Sequence, residues 1–91
     1  MTIESPGAPR FPPGVRLHHD RAREQWVLLG PERVIELDPI AHAVLVLVDG
    51  KRDLSGIVAT LAEQFDAEPA QVRADVGELL GDLADKRLLR W

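Results

Sequence analysis

Few side chains in this sequence are types that do chemistry, and their spacing points away from catalysis. The histidines are His18, His19 and His42. Neighbours along a strand face opposite sides, so His18 and His19 do not form a metal clamp, and His42 stands apart, three residues after Pro39. Asp75, Glu78, Asp82 and Asp85 share one arc of a helix when placed at helical steps. Paired carboxylates perform acid–base work, or hold a divalent ion, when burial or a specific partner shifts their pKa. No nucleophile or histidine accompanies these four, and a solvated helix face accounts for them. Ser5, Ser55 and Thr60 lack triad companions, and no glycine-rich loop follows a strand in a way that would cradle phosphate. The chain has no cysteine, which excludes a disulfide scaffold, thiolate nucleophiles, iron–sulfur ligation and cysteine-based zinc. The expectation is a protein with no catalytic residues, no metal and no cofactor.

Binding by the main chain is then the chemistry to look for, and the stretch WVLLGPERVIEL, Trp26 to Leu37, is where the elements suggest it. From Val15 the pattern has period two, with Val15 and Leu17 on one face and Arg16 and His18 on the other, as for a half-buried strand. DRARE, Asp20 to Glu24, suits a turn. Residues 25–29 are apolar on both faces, which argues for a middle strand. Gly30-Pro31 ends it, because proline lacks a ladder donor while glycine permits the reversal. Val34 to Leu37 returns as a third short strand, with Ile35 and Leu37 toward the core and Val34 and Glu36 outward.

Helices follow. Asp38 can cap free N–H groups, and Pro39 fits the first helical position without losing a bond. Ile40, Ala43, Val44, Leu47 and Val48 recur at helical spacing, with Leu45 and Val46 on another face. The segment therefore reads as a short buried helix stopped by Gly50. Asp53 caps the next, whose stripe is Leu54, Ile57, Val58, Leu61 and Phe65. Pro69 opens the last, with Val72, Val76, Leu79, Leu80 and Leu83 toward the core. Ala70, Gly77, Gly81 and Ala84 form a small-residue band on another side. Glycine inside a helix costs about 1 kcal/mol relative to alanine. The band thus signals either close approach of another backbone or a tolerated irregularity. The fold class expected is α+β, winged-helix-like: a three-stranded antiparallel N-terminal meander followed by three helices.

Ninety-one residues supply one core, so the expected division is a proline-rich flexible tail over 1–14 and a single domain over 15–91. Net charge is −4, and the imbalance is local: residues 1–37 carry five basic and five acidic side chains, residues 38–91 six and ten. An acidic arc on the last helix opposes a polyanion, so nucleic-acid binding, the common use of a winged helix, is not expected. The longest apolar run, Ala43 to Val48, is too short to cross a bilayer, and MTIESPGAPRFPPG lacks the basic flank and apolar core of a secretory signal. No membrane association is expected, and the cytoplasm is the default location.

An exposed third strand offers unpaired N–H and C=O groups to an extended peptide. The last helix would form the other wall of a groove through Val76, Gly77 and Leu80, with Arg33 and Arg73 near acidic peptide groups. The same edge also suits a homodimerising structural adaptor. A salt-sensitive winged-helix DNA binder is the third class.

From Gly14 onward the sequence resembles the PqqD family, the peptide chaperones of pyrroloquinoline quinone biosynthesis. The resemblance lies in Gly14-Val15-Arg16-Leu17, Trp26-Val27-Leu28-Leu29, Pro31-Glu32-Arg33-Val34, Leu37, Val48-Asp49-Gly50, Ile57, Phe65, Val72 and Asp75-Val76. Single words are weak; their order and spacing make the match specific. The resemblance implies a non-catalytic protein that binds the ribosomal precursor peptide PqqA. It would present that peptide to PqqE, the radical S-adenosylmethionine enzyme that joins its glutamate and tyrosine side chains. It further implies that the peptide adds as a strand to Arg33, Val34, Ile35, Glu36 and Leu37 and contacts Arg73, Val76, Gly77 and Leu80. Cofactors would belong to the partner enzyme. The sequence departs from the family pattern at Asp53, where threonine or serine is more usual. It departs again at Asp85-Lys86-Arg87-Leu88, which replaces a glycine-containing end.

Overall fold

A computed structural model describes residues 7–91, so the first six positions of the expected tail lie outside the described residues. The chain forms β1 (Arg16–Asp20), β2 (Gln25–Leu29), β3 (Val34–Glu36), α1 (Pro39–Leu45), α2 (Leu54–Gln64) and α3 (Pro69–Asp85). The sheet is antiparallel in the order β1-β2-β3, which places the doubly apolar strand in the middle. Three strands followed by three helices is the expected α+β, winged-helix-like order.

Each helix starts where the sequence signals it. Asp38 Oδ1 accepts from the Ala41 N–H at 2.7 Å and Asp53 Oδ1 from the Gly56 N–H at 2.8 Å, each satisfying a donor the helix leaves free. α3 has proline in its first turn and no side-chain cap. Its far end is a Schellman turn: Leu88 N–H donates to the Leu83 carbonyl at 2.8 Å, and Arg87 N–H to that of Ala84 at 2.9 Å. Arg87 takes φ 65° there, the left-handed conformation that glycine adopts without strain. The departure noted at residues 85–88 therefore keeps the turn and changes only the residue bearing it.

The core joins all layers. Leu28 and Leu37 from the sheet region meet Val44, Leu45, Ile57, Leu61, Val76, Leu80 and Leu83 from the helices, all buried. Leu28, Leu45, Ile57 and Leu80 are fully enclosed, and α3 packs chiefly along α2.

Three expectations change. α1 closes at Leu45, and residues 46–48 tighten into turns in which Leu47 and Val48 N–H groups donate to Val44 and Leu45, each at 3.1 Å. The apolar run is also less buried than its composition suggests, since Ile40 and Val46 are exposed. Gly30 does not adopt a left-handed conformation. Its missing side chain instead makes room for Leu88, whose Cδ2 would lie 2.7 Å from an added Cβ.

The third change concerns the tail. Pro9 is fully buried, and Arg10 and Arg90 exchange both main-chain hydrogen bonds at 2.8 Å. Phe11 packs against the core, and Gly50 N–H donates to the Pro9 carbonyl at 3.2 Å. Residues 9–11 are thus held to the body of the domain rather than loose; a proline-rich segment makes a poor element, but nothing prevents it from packing beside the chain end. Nearby, Asp49 accepts from the Arg52 and Lys51 N–H groups, each at 2.9 Å, and pairs with the Arg52 guanidinium at 2.9 Å. The Arg52 and Lys51 amides, followed by the Arg52 charge, hold its carboxyl below the ordinary value of 3.8.

Candidate functional site

β3 is an edge, and its register determines which groups it offers. In an antiparallel ladder alternate residues turn their N–H and C=O toward the neighbouring strand. Gly30 N–H donates to the Arg33 carbonyl at 2.9 Å and Leu37 N–H to that of Trp26 at 3.0 Å, with Leu28 opposite Ile35 between them. Arg33, Ile35 and Leu37 therefore address β2, while Val34 and Glu36 turn their main-chain groups outward. No strand covers that side among the described residues. The side chains follow the expected alternation: Leu37 is buried, Ile35 packs against the core, and Val34 is 63% exposed. Glu36 meets Arg23 at 3.4 Å in an exposed pair, which contributes at most about 1 kcal/mol.

Where β3 runs into α1, the surface dips into an apolar groove of about 330 Å³. It is lined by Ile40 and Val44 of α1, by Leu61 and Phe65 at the end of α2, and by Val72, Val76 and Leu79 along one flank of α3. Ile40 and Phe65 are 58% and 47% exposed, so apolar surface stands open to solvent here. The volume lies at the lower end of the range for ligand sites and also suits one or two side chains of a peptide. Asp38 and Asp75 stand at the rim. Asp75 accepts from Gln71 Nε2 at 3.1 Å, and both carboxylates are exposed, so the apolar groove carries an acidic lip.

The α3 residues expected to form the wall separate into different environments. Val76 and Leu80 are buried and hold the helix to the core, although Val76 also reaches the groove. Arg73 lies on the opposite flank, toward α2, where its Nη2 donates to Ser55 Oγ at 2.9 Å in a shallow depression shared with Ala59 and Ala70. An added Cβ on Gly77 or Gly81 would meet nothing within 4 Å, so among the described residues no backbone closely approaches either glycine. Arg33 sits beside Gly30 and Leu88, beyond the C-terminal end of α3. Arg73 lies in the early part of α3, so roughly 18 Å of helix axis, at 1.5 Å per residue, separates their levels. The two arginines are not opposite walls of one groove.

Ile40, Phe65, Val72 and Leu79 read as core in the sequence and prove to be groove lining. A signal was present: Val72 and Leu79 both lie on the core side of Asp75 on the α3 wheel, at the border between apolar stripe and acidic arc, where half-burial is the rule.

The histidines are not assembled for metal binding, and the described residues contain no cluster of three or more potential ligands. His42 instead stacks on Trp26, with centroids 4.3 Å apart and planes at 17°, and His19 tilts onto the same indole at 5.0 Å. His42 Nε2 is buried without a hydrogen-bond partner. No described helix is long and apolar enough to cross a membrane.

Comparison with known proteins gives this geometry a context. The chain is 58% identical over 82 residues to a PqqA binding protein of Xanthomonas euvesicatoria pv. vesicatoria (strain 85-10), covering 90% of this chain and 89% of the relative. It is 53% identical over 89 residues to the PqqA binding protein of Xanthomonas campestris pv. campestris (strain B100), covering 98% and 97%. Among solved structures, it resembles the solution structure of the PqqD truncation of Methylobacterium extorquens PqqCD, described as a functional, stand-alone recognition element for ribosomally synthesized and post-translationally modified peptides. That match has a TM-score of 0.78 and 48% identity, over 91% of this chain and 88% of the other. The crystal structure of PqqD from Xanthomonas campestris matches with a TM-score of 0.63 and 52% identity, over 99% and 100%. The family model for coenzyme PQQ synthesis protein D (PqqD) matches residues 25–89, most of the chain including β2, β3 and all three helices, and the chain therefore belongs to the PqqD family.

Proposed function

We propose that this protein binds the precursor peptide PqqA as a fourth strand on β3 and presents it to the radical S-adenosylmethionine enzyme PqqE, with no chemistry of its own. The observation that carries the reading is the open β3 edge running into an apolar groove. Val34 and Glu36 supply outward main-chain donors and acceptors for pairing, each hydrogen bond contributing about 1 kcal/mol net. Arg33, Ile35 and Leu37 keep the strand in register against β2. Ile40, Phe65, Val72 and Leu79 accept an apolar side chain of the peptide, in place of the Arg73, Gly77 and Leu80 wall. Relatives named for PqqA binding support the identity of the guest.

Presentation would act through position and effective concentration: a peptide held on a docked chaperone meets the enzyme as if at high local concentration. The setting is the cytoplasm, where ribosomal peptides are made. Titration of isotope-labelled protein with PqqA tests the reading through amide shifts. Shifts should centre on Val34 to Leu37 and on Val72 to Leu79; saturation by peptide with no change there would sink strand addition. A β3–β3 dimer that dissociates as peptide binds would add competition between twin and guest for one edge.

A further inference from the structure

Folding sorts charge along this domain. The segments 7–16, 30–33, 49–53 and 86–91 gather at one end through the Arg10–Arg90 pairing, the Gly50–Pro9 hydrogen bond and the approach of Leu88 to Gly30. They bring Arg10, Arg16, Arg33, Lys51, Arg87 and Arg90 there. At the other end, where Asp38, Phe65, Ala67 and Asp75 surround the groove, acidic residues prevail, among them Glu36, Asp66 and Glu68.

Arg10 and Arg90 are the most defined part of the basic end. Because they exchange both main-chain hydrogen bonds, they form a hydrogen-bonded antiparallel pair whose side chains project from the same face, with Cα atoms about 5.5 Å apart. Both are exposed, while the flanking Pro9 and Leu89 are buried, so the pair stands on a fixed apolar base. Like charges directly across a ladder destabilise it. Among the described residues no carboxylate pairs with either guanidinium within about 4 Å; the ion pairs go to Arg23, Arg52 and Lys86. Arg87, held in a left-handed conformation three residues before Arg90, adds a further cation at a position where glycine would be unstrained.

We propose that the Arg10–Arg90 pair is a docking site for a carboxylate-rich segment of a second protein. Two guanidiniums side by side match carboxylates bidentately and replace mutual repulsion with attraction to a shared anion. The footprint is small and broken by Glu32, Asp49, Asp53 and Asp85, so it lacks the continuous positive track that a nucleic-acid backbone requires. The site lies apart from the groove beside α1 and does not depend on strand addition. A partner held here would leave the outward groups of Val34 and Glu36 free for a peptide.

A synthetic oligoglutamate peptide is the probe, titrated into the full chain and followed by amide shifts, with a short DNA duplex in parallel. Shifts should centre on Arg10 and Arg90 and weaken with added salt. R10E and R10Q should each reduce affinity about tenfold or more, the loss expected for a charge-assisted contact. R10E should also melt at a higher temperature than the parent, because a cross-strand Glu–Arg pair replaces Arg–Arg. PqqA-induced shifts at Val34 to Leu37 should be unchanged in R10E, which separates this site from the groove. Oligoglutamate shifts spread evenly over the arginines, undiminished affinity in both variants, or tighter binding of DNA at the same residues would each overturn the proposal.

Discussion

The two edges of this sheet differ, although both flank the same middle strand and neither pairs with another strand among the described residues. β1 reads RLHHD and presents Arg16, His18 and Asp20 along its length; charged and polar side chains discourage further pairing. β3 reads VIE, exposes Val34, and is followed two residues later by Asp38 at the rim of an open apolar groove. An unpaired edge alone is common. An edge suited to a guest also needs apolar surface beside it, so that side chains of the added strand gain burial along with main-chain hydrogen bonds.

The largest effect should come from the strand that both edges share. Leu28 is fully buried in β2, and Leu28→Ala should lower unfolding free energy by about 2–5 kcal/mol in denaturant titration, the range for a truncated core leucine. Retention of full stability would contradict its place at the centre of the core.

Next comes the contrast between the edges themselves. The β1–β2 register and the alternation make Leu17 and His19 the outward-facing residues of β1, as Val34 and Glu36 are of β3. Val34→Pro removes an outward donor without touching the β2–β3 ladder, and proline is tolerated on edge strands. It should weaken PqqA binding about tenfold or more by calorimetry, counting lost pairing and local stiffening. His19→Pro should leave affinity unchanged. Equal losses from both would mean that the β3 edge is not privileged.

The flanks of α3 offer a second, smaller contrast. Phe65→Ala removes half-exposed aromatic surface from the groove and should weaken peptide binding about three- to tenfold, with little change in stability. Arg73→Ala, on the α2 flank, should change affinity less than about twofold, since an exposed hydrogen bond to Ser55 is worth little. The reverse ranking would restore the arginine to the binding wall and remove the groove.

The smallest effect separates both edges from the loop after α1. Asp49 has its pKa lowered in the folded protein, so its contribution to stability is present above the unfolded value and is lost as pH falls through the lower, folded one. Acidification below about pH 4 should loosen residues 49–52, seen as faster amide exchange at Lys51 and Arg52, and Asp49→Asn should lose that acid dependence. Loosening of β3 in the same pH range, in parent and variant alike, would show that the edge titrates on its own.

The strands, their order and the helix starts were legible because they rest on local rules: period-two alternation, Asp caps at residues 38 and 53, and prolines at 39 and 69. The outward and inward sides of β3 were legible for the same reason. The helical side of the site was not. Val72 and Leu79 satisfy helical periodicity whether they finish in the core or line a groove, and only the placement of α1 and Phe65 across from them decides which. Arg73, seven residues before Leu80 on the same helix, looked like part of the same wall until Ser55 of α2 appeared as its partner.

By itself, the sequence determined the meander, the three helices and, through ordered short words spread along the chain, the family. Tertiary structure alone decided that the proline-rich start packs against the chain end, that Gly30 exists to admit Leu88, and that the groove opens on the Val72–Leu79 flank of α3. The physical reason is range. Caps, turns and alternation are settled by residues within one or two turns of each other, whereas grooves and charged ends arise from groups brought together across the whole chain, whose spacing carries no record of which neighbour they will meet.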